Sequence, residues 1–273
     1  MLMSFKNLLI RTLTGSVYLL VLVSAILYNR FSMAFLFLVI LTLAINETNR
    51  MIAIPEINPQ LLTGNIMAKL TYLLPVGYLL GYYSASWILM VLIVLIIIPI
   101  IELYRKNPNP MANIAYTILP SLYISLPLAM LFSIAFYRGV YQPHLVLGLF
   151  VIIWIYDSGA YLIGSLIGKH KLFQRVSPNK TWEGAIGGGV AALAGSAFLL
   201  ADYIPVLTQI QWIFGALIIV VFGTYGDLME SQLKRSAGVK DSGYILPGHG
   251  GILDRFDSAL TASVAFWLYL QFI

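Results

Sequence analysis

Apolar runs long enough to cross a bilayer recur along almost the whole chain, and they limit its fold more than any single residue does. A helix rises about 1.5 Å per residue and needs about twenty apolar residues to span the hydrocarbon core. Nine stretches meet or approach that length: residues 8–28, 32–46, 66–83, 86–103, 112–135, 145–167, 183–202, 210–229 and 252–272. With 60% hydrophobic residues and a mean hydropathy of +0.88, the chain is no water-soluble domain. The expected fold class is therefore all-α, a polytopic integral membrane bundle of about nine transmembrane helices. Residues 47–65, with Pro55, Pro59 and Gly64, read as a loop. The first apolar run is too long for a signal peptide and has no clear cleavage site, so it reads as a retained helix.

The basic residues orient these spans. Of the 16 lysines and arginines, all but Arg30 and Arg138 fall on one side when nine spans are drawn. Positive residues stay in the cytoplasm, which puts the N-terminus inside and the C-terminus outside. Loops 168–182 and 230–251 then face the cytoplasm, where nucleoside triphosphates are. The expected location is the inner cell membrane, multi-pass, with the active site on the cytoplasmic side. Residues 1–140 are expected to form N-terminal transmembrane helices without a usable motif. Residues 141–273 are expected to form the catalytic C-terminal helices with both charged loops. The chain has no cysteine, hence no disulfide, thiolate metal site or cysteine nucleophile. The net charge of +5 fits cytoplasmic loops facing anionic lipid. No basic stripe with interleaved aromatics is present, which argues against nucleic acid as a partner.

Only 10% of the chain is charged, yet the segment SQLKRSAGVKDSGYILPGHGGILDRFD, residues 231–257, concentrates Lys234, Arg235, Lys240 and Arg255 with Asp241, Asp254 and Asp257. Asp254 and Asp257, three apart at the expected start of the last helix, share one face. Asp227 closes the preceding span. Three carboxylates beside four cations suggest a divalent metal carrying a polyphosphate, and hard oxygen ligands suit Mg2+. Capping and a surface pair would explain the same aspartates, and topology alone would explain each basic residue. His249 could bind phosphate, transfer a proton, or merely be held in a turn. Asp157 lies deep in the sixth span, where a carboxylate costs several kcal/mol unless it meets water, metal or a partner. It either bonds a neighbouring helix or borders a cytoplasm-open cavity shared with Asp227, Asp254 and Asp257. In the loop GKHKLFQRVSPNKTWEG, residues 168–184, Ser177 to Thr181 can cap a helix start and offer N–H groups to an anion. Lys180 and Thr181 are candidate phosphate contacts there, and Glu183 is expected to cap the same helix end. Lys169, Lys171 and Arg175 fit a solvated loop. Gly187, Gly188, Gly189 and Gly195 suit close helix packing. Pro99, Pro120 and Pro127 are expected to kink their helices, and Trp87, Trp212 and Tyr269 to anchor at the interface.

The order of residues from Ser231 through Lys234, Arg235, Lys240, Asp241, His249, Gly250, Gly251, Asp254 and Arg255 to Asp257 resembles the signature of the phosphatidate cytidylyltransferases, or CDP-diacylglycerol synthases. The segment Trp154–Gly184 is similar to that family as well. The resemblance implies an enzyme that joins CTP to phosphatidate, giving CDP-diacylglycerol and pyrophosphate. It implies Mg2+, with a second cation nearby, at Asp227, Asp254 and Asp257, and Asp157 in the active-site region. Lys180, Thr181, Lys234, Arg235, Lys240, His249 and Arg255 are the corresponding substrate contacts, and a homodimer is implied too. Two other readings stand beside it. One is a CTP-dependent transferase acting on another membrane lipid. The other is a secondary transporter of an organic anion, which intramembrane Asp157 would suit, although the charges cluster at one face and no repeat is visible. The chain has no Walker A sequence, no HExxH and no CDP-alcohol phosphatidyltransferase pattern.

Overall fold

The computed structural model describes residues 5–52 and 55–273, with side chains from residue 11 onward. Lys6, one of the residues assigned to the cytoplasmic side, has its side chain outside the described residues. The chain forms two compact units, each discontinuous in sequence. One comprises Met1–Ser133 with Ala237–Arg255, the other Ile134–Ser236 with Phe256–Ile273.

The first unit is built from α1 (Phe5–Tyr28), α2 (Arg30–Met51), α3 (Leu61–Leu79), α4 (Met90–Tyr104), α5 (Pro110–Pro120) and α6 (Leu126–Ile134). The chain reverses between α1 and α2 at Asn29. Its Oδ1 accepts the N–H groups of Phe31 and Ser32, both at 2.8 Å, and Ser32 Oγ accepts the Asn29 N–H at 3.1 Å. This reciprocal cap satisfies N–H groups that the first turn leaves orphaned. Pro120 and Pro127 flank a π-helical turn, Ser121–Ser125, that joins α5 to α6. A widened turn absorbs the bonds that proline cannot make.

The second unit holds α7 (Pro143–Ile167), α8 (Trp182–Gly195), α9 (Ala201–Tyr203), α10 (Gln209–Ser236) and α11 (Asp257–Gln271). Between α7 and α8 the loop is not irregular but an antiparallel hairpin, β1 (Lys171–Phe173) and β2 (Ser177–Thr181), pairing Lys171 with Thr181 and Phe173 with Ser177. α7 and α8 cross at glycines. A Cβ on Gly188 would lie 2.5 Å from the Tyr156 carbonyl oxygen, and one on Gly184 2.7 Å from that of Ala160. Gly184 and Gly188, four apart, meet the α7 backbone, Gly187 and Gly195 meet the side chains of Ile163 and Ile155 on the same helix, and of the expected glycines only Gly189 has room to spare.

Among the described residues, seven helical stretches are long and apolar enough to cross a membrane: Arg11–Tyr28, Arg30–Met51, Ala85–Tyr104, Pro110–Ile134, Pro143–Ile167, Trp182–Tyr203 and Gln209–Ser236. The protein is thus a mostly helical membrane protein. α3, with 19 residues including Lys69, and α11, with 15, are helical but stand outside that set.

Three expectations change. α10 runs on to Ser236, so Lys234 and Arg235 sit on its last turn and not in a loop. The Lys234 ammonium reaches Glu230 at 3.1 Å, an i,i+4 pair, and cations suit a helix C-terminus. The stretch 47–65, expected to be a loop, is helical at both ends, since α2 runs to Met51 and α3 starts at Leu61. Trp212 is no interfacial anchor. It is fully buried, donates to the Ile204 carbonyl at 3.1 Å and stacks on Phe266. Gly148 on α7 makes room for its ring.

Candidate active site

In the second unit, four charged side chains from four elements converge. Lys180, on β2, forms an ion pair with Asp227 of α10. Asp257 opens α11 and lies within electrostatic reach of Asp227, Asp157 and Lys180. Asp157 belongs to α7, and the neighbouring Tyr156 hydroxyl accepts a 2.7 Å hydrogen bond from Thr224 of α10. Helix packing sets this convergence. A Cβ on Gly226 would come 2.5 Å from the Asp257 carbonyl oxygen, so only glycine lets α10 pass the start of α11 closely enough to bring Asp227 beside Asp257.

Burial opposes the charge on Lys180, but Asp227 outweighs it through charge and hydrogen bond, with Tyr156 and Asp257 adding. The ammonium is held above the ordinary lysine range and stays a cation. A cavity of about 380 Å³ opens beside this group, its wall including Tyr156, Asp157, Ser165, Asn179, Lys180 and Thr181. Thr181 has a second duty: it is the N-cap of α8, and its hydroxyl accepts the Gly184 N–H at 3.2 Å. Glu183 stands in the first turn of that helix beside this cap. Its carboxylate accepts the N–H groups of Lys169 and His170 and meets the His170 ring, which ties the hairpin's entry to α8.

Of the remaining predicted residues, Lys234 and Arg235 lie on α10 in the second unit, and the others belong to the first. Lys240, Asp241 and Arg255 are exposed on segment 237–255. Asp254 serves its own loop. Its Oδ2 accepts the N–H of Gly251 at 2.7 Å, the N–H of Ser242 at 3.0 Å and the Ser242 hydroxyl at 3.1 Å. His249 is held below the ordinary imidazole range by burial and by Arg255 and Arg11, so it is neutral near pH 7. Its buried Nδ1 has no hydrogen-bond partner.

Among the described residues, no three histidine, aspartate or glutamate side chains stand close enough together to hold a metal ion. The donor chemistry at Asp227 and Asp257 still fits Mg2+, which usually takes one or two carboxylates and completes its shell with water and substrate phosphate. Asp254, expected in the same set, turns its Oδ2 to the loop's own N–H groups.

One residue of this loop escaped the sequence reading. Glu47 on α2 is buried at 1% exposure. It accepts the Ser242 hydroxyl at 2.9 Å and the N–H groups of Ile252 at 2.9 Å and Leu253 at 3.0 Å. Gly251 must lack a side chain, since a Cβ would come 2.5 Å from Glu47 Oε2. A carboxylate so buried is stable only because every donor it meets is aimed at it. The one available signal was an acidic residue just past the end of an apolar run.

Comparison with known proteins gives one answer. Residues 9–273 match the Cytidylyltransferase family. A Bacillus subtilis (strain 168) relative named phosphatidate cytidylyltransferase is 36% identical over 256 residues, 92% of this chain and 93% of its own length. Proteins of that name from Staphylococcus aureus (strain COL) and Staphylococcus haemolyticus (strain JCSC1435) are 53% and 50% identical over 117 and 115 residues. Each staphylococcal alignment covers 42% of this chain and 44% of the relative, less than half its length.

Proposed function

The chain belongs to the cytidylyltransferase family, and from that premise we propose that it is a phosphatidate cytidylyltransferase. It takes phosphatidate from the bilayer and CTP from the cytoplasm, and makes CDP-diacylglycerol and pyrophosphate. The observation that carries this reading is the meeting of Lys180, Asp157, Asp227 and Asp257 beside one cavity in a membrane protein of that family.

An oxygen of the phosphatidate phosphate attacks the α-phosphorus of CTP in line. The new P–O bond forms as the bond to the bridging oxygen of the β-phosphate breaks, and that oxygen leaves with its electron pair as pyrophosphate. The nucleophile is already anionic near neutral pH, so no side chain has to remove a proton. Positioning and charge stabilisation then supply most of the rate. Mg2+, held by Asp227 and Asp257, would neutralise phosphate charge when bound. Lys180 keeps its charge despite burial and faces the same carboxylates, which suits it to the negative charge of the phosphates. Lys234 and Arg235, at the C-terminal turn of α10, and Lys240 on the following segment are further phosphate partners. Thr181 and Glu183 fix the loop that carries Lys180.

We place this site on the cytoplasmic side of the inner cell membrane. α3 and α11 complete nine crossings, the N-terminus is inside and the C-terminus outside, and the protein works as a homodimer. The distribution of basic residues supports this topology.

The test is pyrophosphate release by purified protein in detergent with CTP, phosphatidate and Mg2+. Release should need all three components and should fall at least about a hundredfold in both Asp227→Ala and Asp257→Ala, as when a principal electrostatic group is lost. No release from folded wild-type protein overturns the assignment.

A further inference from the structure

The turn Leu246–Gly250 has no part in the chemistry above, yet it is closely built. The His249 N–H donates to the Leu246 carbonyl at 2.9 Å, and the Leu246 N–H to the Gly250 carbonyl at 3.0 Å. Pro247 and Gly248 take the two central positions, Gly248 at φ +77°, as a turn with proline first and glycine second requires. α1 packs directly on this turn. A Cβ on Gly248 would lie 2.5 Å from Arg11 Cγ, and one on Gly15 3.3 Å from His249 Nε2. An apolar groove of about 470 Å³ runs between α1 and α2 in this same unit. Val17 and Val21 line it from α1, Val39 and Leu43 from α2, and Leu246 and Ile252 from the loop.

We propose that this groove is an acyl-chain subsite for phosphatidate, with the lipid's phosphate monoester meeting Arg11 and Arg255 beside His249. The proposal rests on the phosphatidate reading given above. Charge complementarity selects the occupant. The loop that lines the groove also carries His249, and two arginines act on that histidine electrostatically. A bare phosphate monoester is compact and carries up to two negative charges, so it can engage both guanidinium groups, each suited to phosphate. A neutral lipid has nothing to offer this end of the groove. The phosphate would also offset the arginine repulsion that adds to burial in holding His249 low. The walls are mostly apolar, as an acyl chain requires.

The test compares kcat/KM for dioleoyl phosphatidate with that for dihexanoyl phosphatidate, whose short chains barely enter a groove. Val17→Trp and Val39→Trp fill the groove from opposite walls, and Leu19→Trp, on an exposed face of α1 away from it, is the control. Folding of each variant is checked by thermal unfolding in detergent. The dioleoyl-to-dihexanoyl ratio should fall at least tenfold in both groove variants and hold in the control. Arg11→Gln should raise KM for either phosphatidate more than KM for CTP. An unchanged ratio in both groove variants, from wild type active on both lipids, overturns the groove alone. Wild type inactive on both lipids overturns the phosphatidate reading and the groove with it.

Discussion

Lys180 is the residue on which charge at the candidate site turns. It is a half-buried cation, and Asp227, Tyr156 and Asp257 favour its charge. Lys180→Met should lower kcat/KM for CTP about a hundredfold or more, as loss of one preorganised electrostatic group does. Lys180→Arg should recover part of that loss, and a Met variant with wild-type kinetics would remove Lys180 from the site. Glu47 acts differently, through the loop. Glu47→Gln turns an acceptor oxygen into a donor that faces the Ser242 hydroxyl or a loop N–H. The expected cost is about 2 kcal/mol, read as a fall in Tm of roughly 5 °C with faster proteolysis of segment 237–255. Unchanged Tm and protease resistance would show that the loop does not depend on it. Asp157, Asp227, Asp257 and Lys180 were legible because charge is rare and costly in so apolar a chain. Glu47 was not, because its partners lie 195 to 206 residues further on and nothing local announces them. The loop role of Asp254 was hidden for a related reason: the sequence shows a carboxylate near the others but not the loop N–H groups that its Oδ2 accepts.

At the scale of elements, the glycine crossing between α7 and α8 positions the wall of the cavity. Gly188→Leu would drive a side chain into the Tyr156 carbonyl and Ala160. It should abolish pyrophosphate release and lower Tm, whereas Gly189→Ala, whose Cβ would meet only Val220 at 3.8 Å, should leave Tm unchanged. Equal effects of the two substitutions would argue against a specific crossing. Periodicity and length announced the helices, α2 included, although α2 proved longer than the run 32–46 that marked it. The hairpin was hidden because its two strands, of three and five residues, give alternation too little length to register. The extension of α10 was hidden because polar residues end an apolar run without ending a helix. The Glu230–Lys234 pair carries it on.

For the whole molecule, the lack of cysteine makes topology directly measurable. Asn107→Cys and Gln174→Cys should resist an impermeant maleimide in intact cells, and Gln142→Cys and Thr208→Cys should react. Ile273→Cys should react only if the crossings are odd in number. Labelling at 107 and 174 would invert the proposed orientation and move the site away from CTP.

The first unit is made of two stretches separated by more than a hundred residues of the other unit. A ribosome therefore finishes α2 long before it makes Ser242, Ile252 and Leu253. Until then Glu47 is a carboxylate on an apolar helix without the donors that stabilise it. The first unit is begun first and cannot be completed until nearly the whole chain exists. Early α2 must wait at the translocon or the bilayer surface, and a nascent chain stopped before Ala237 should be a target for membrane quality control.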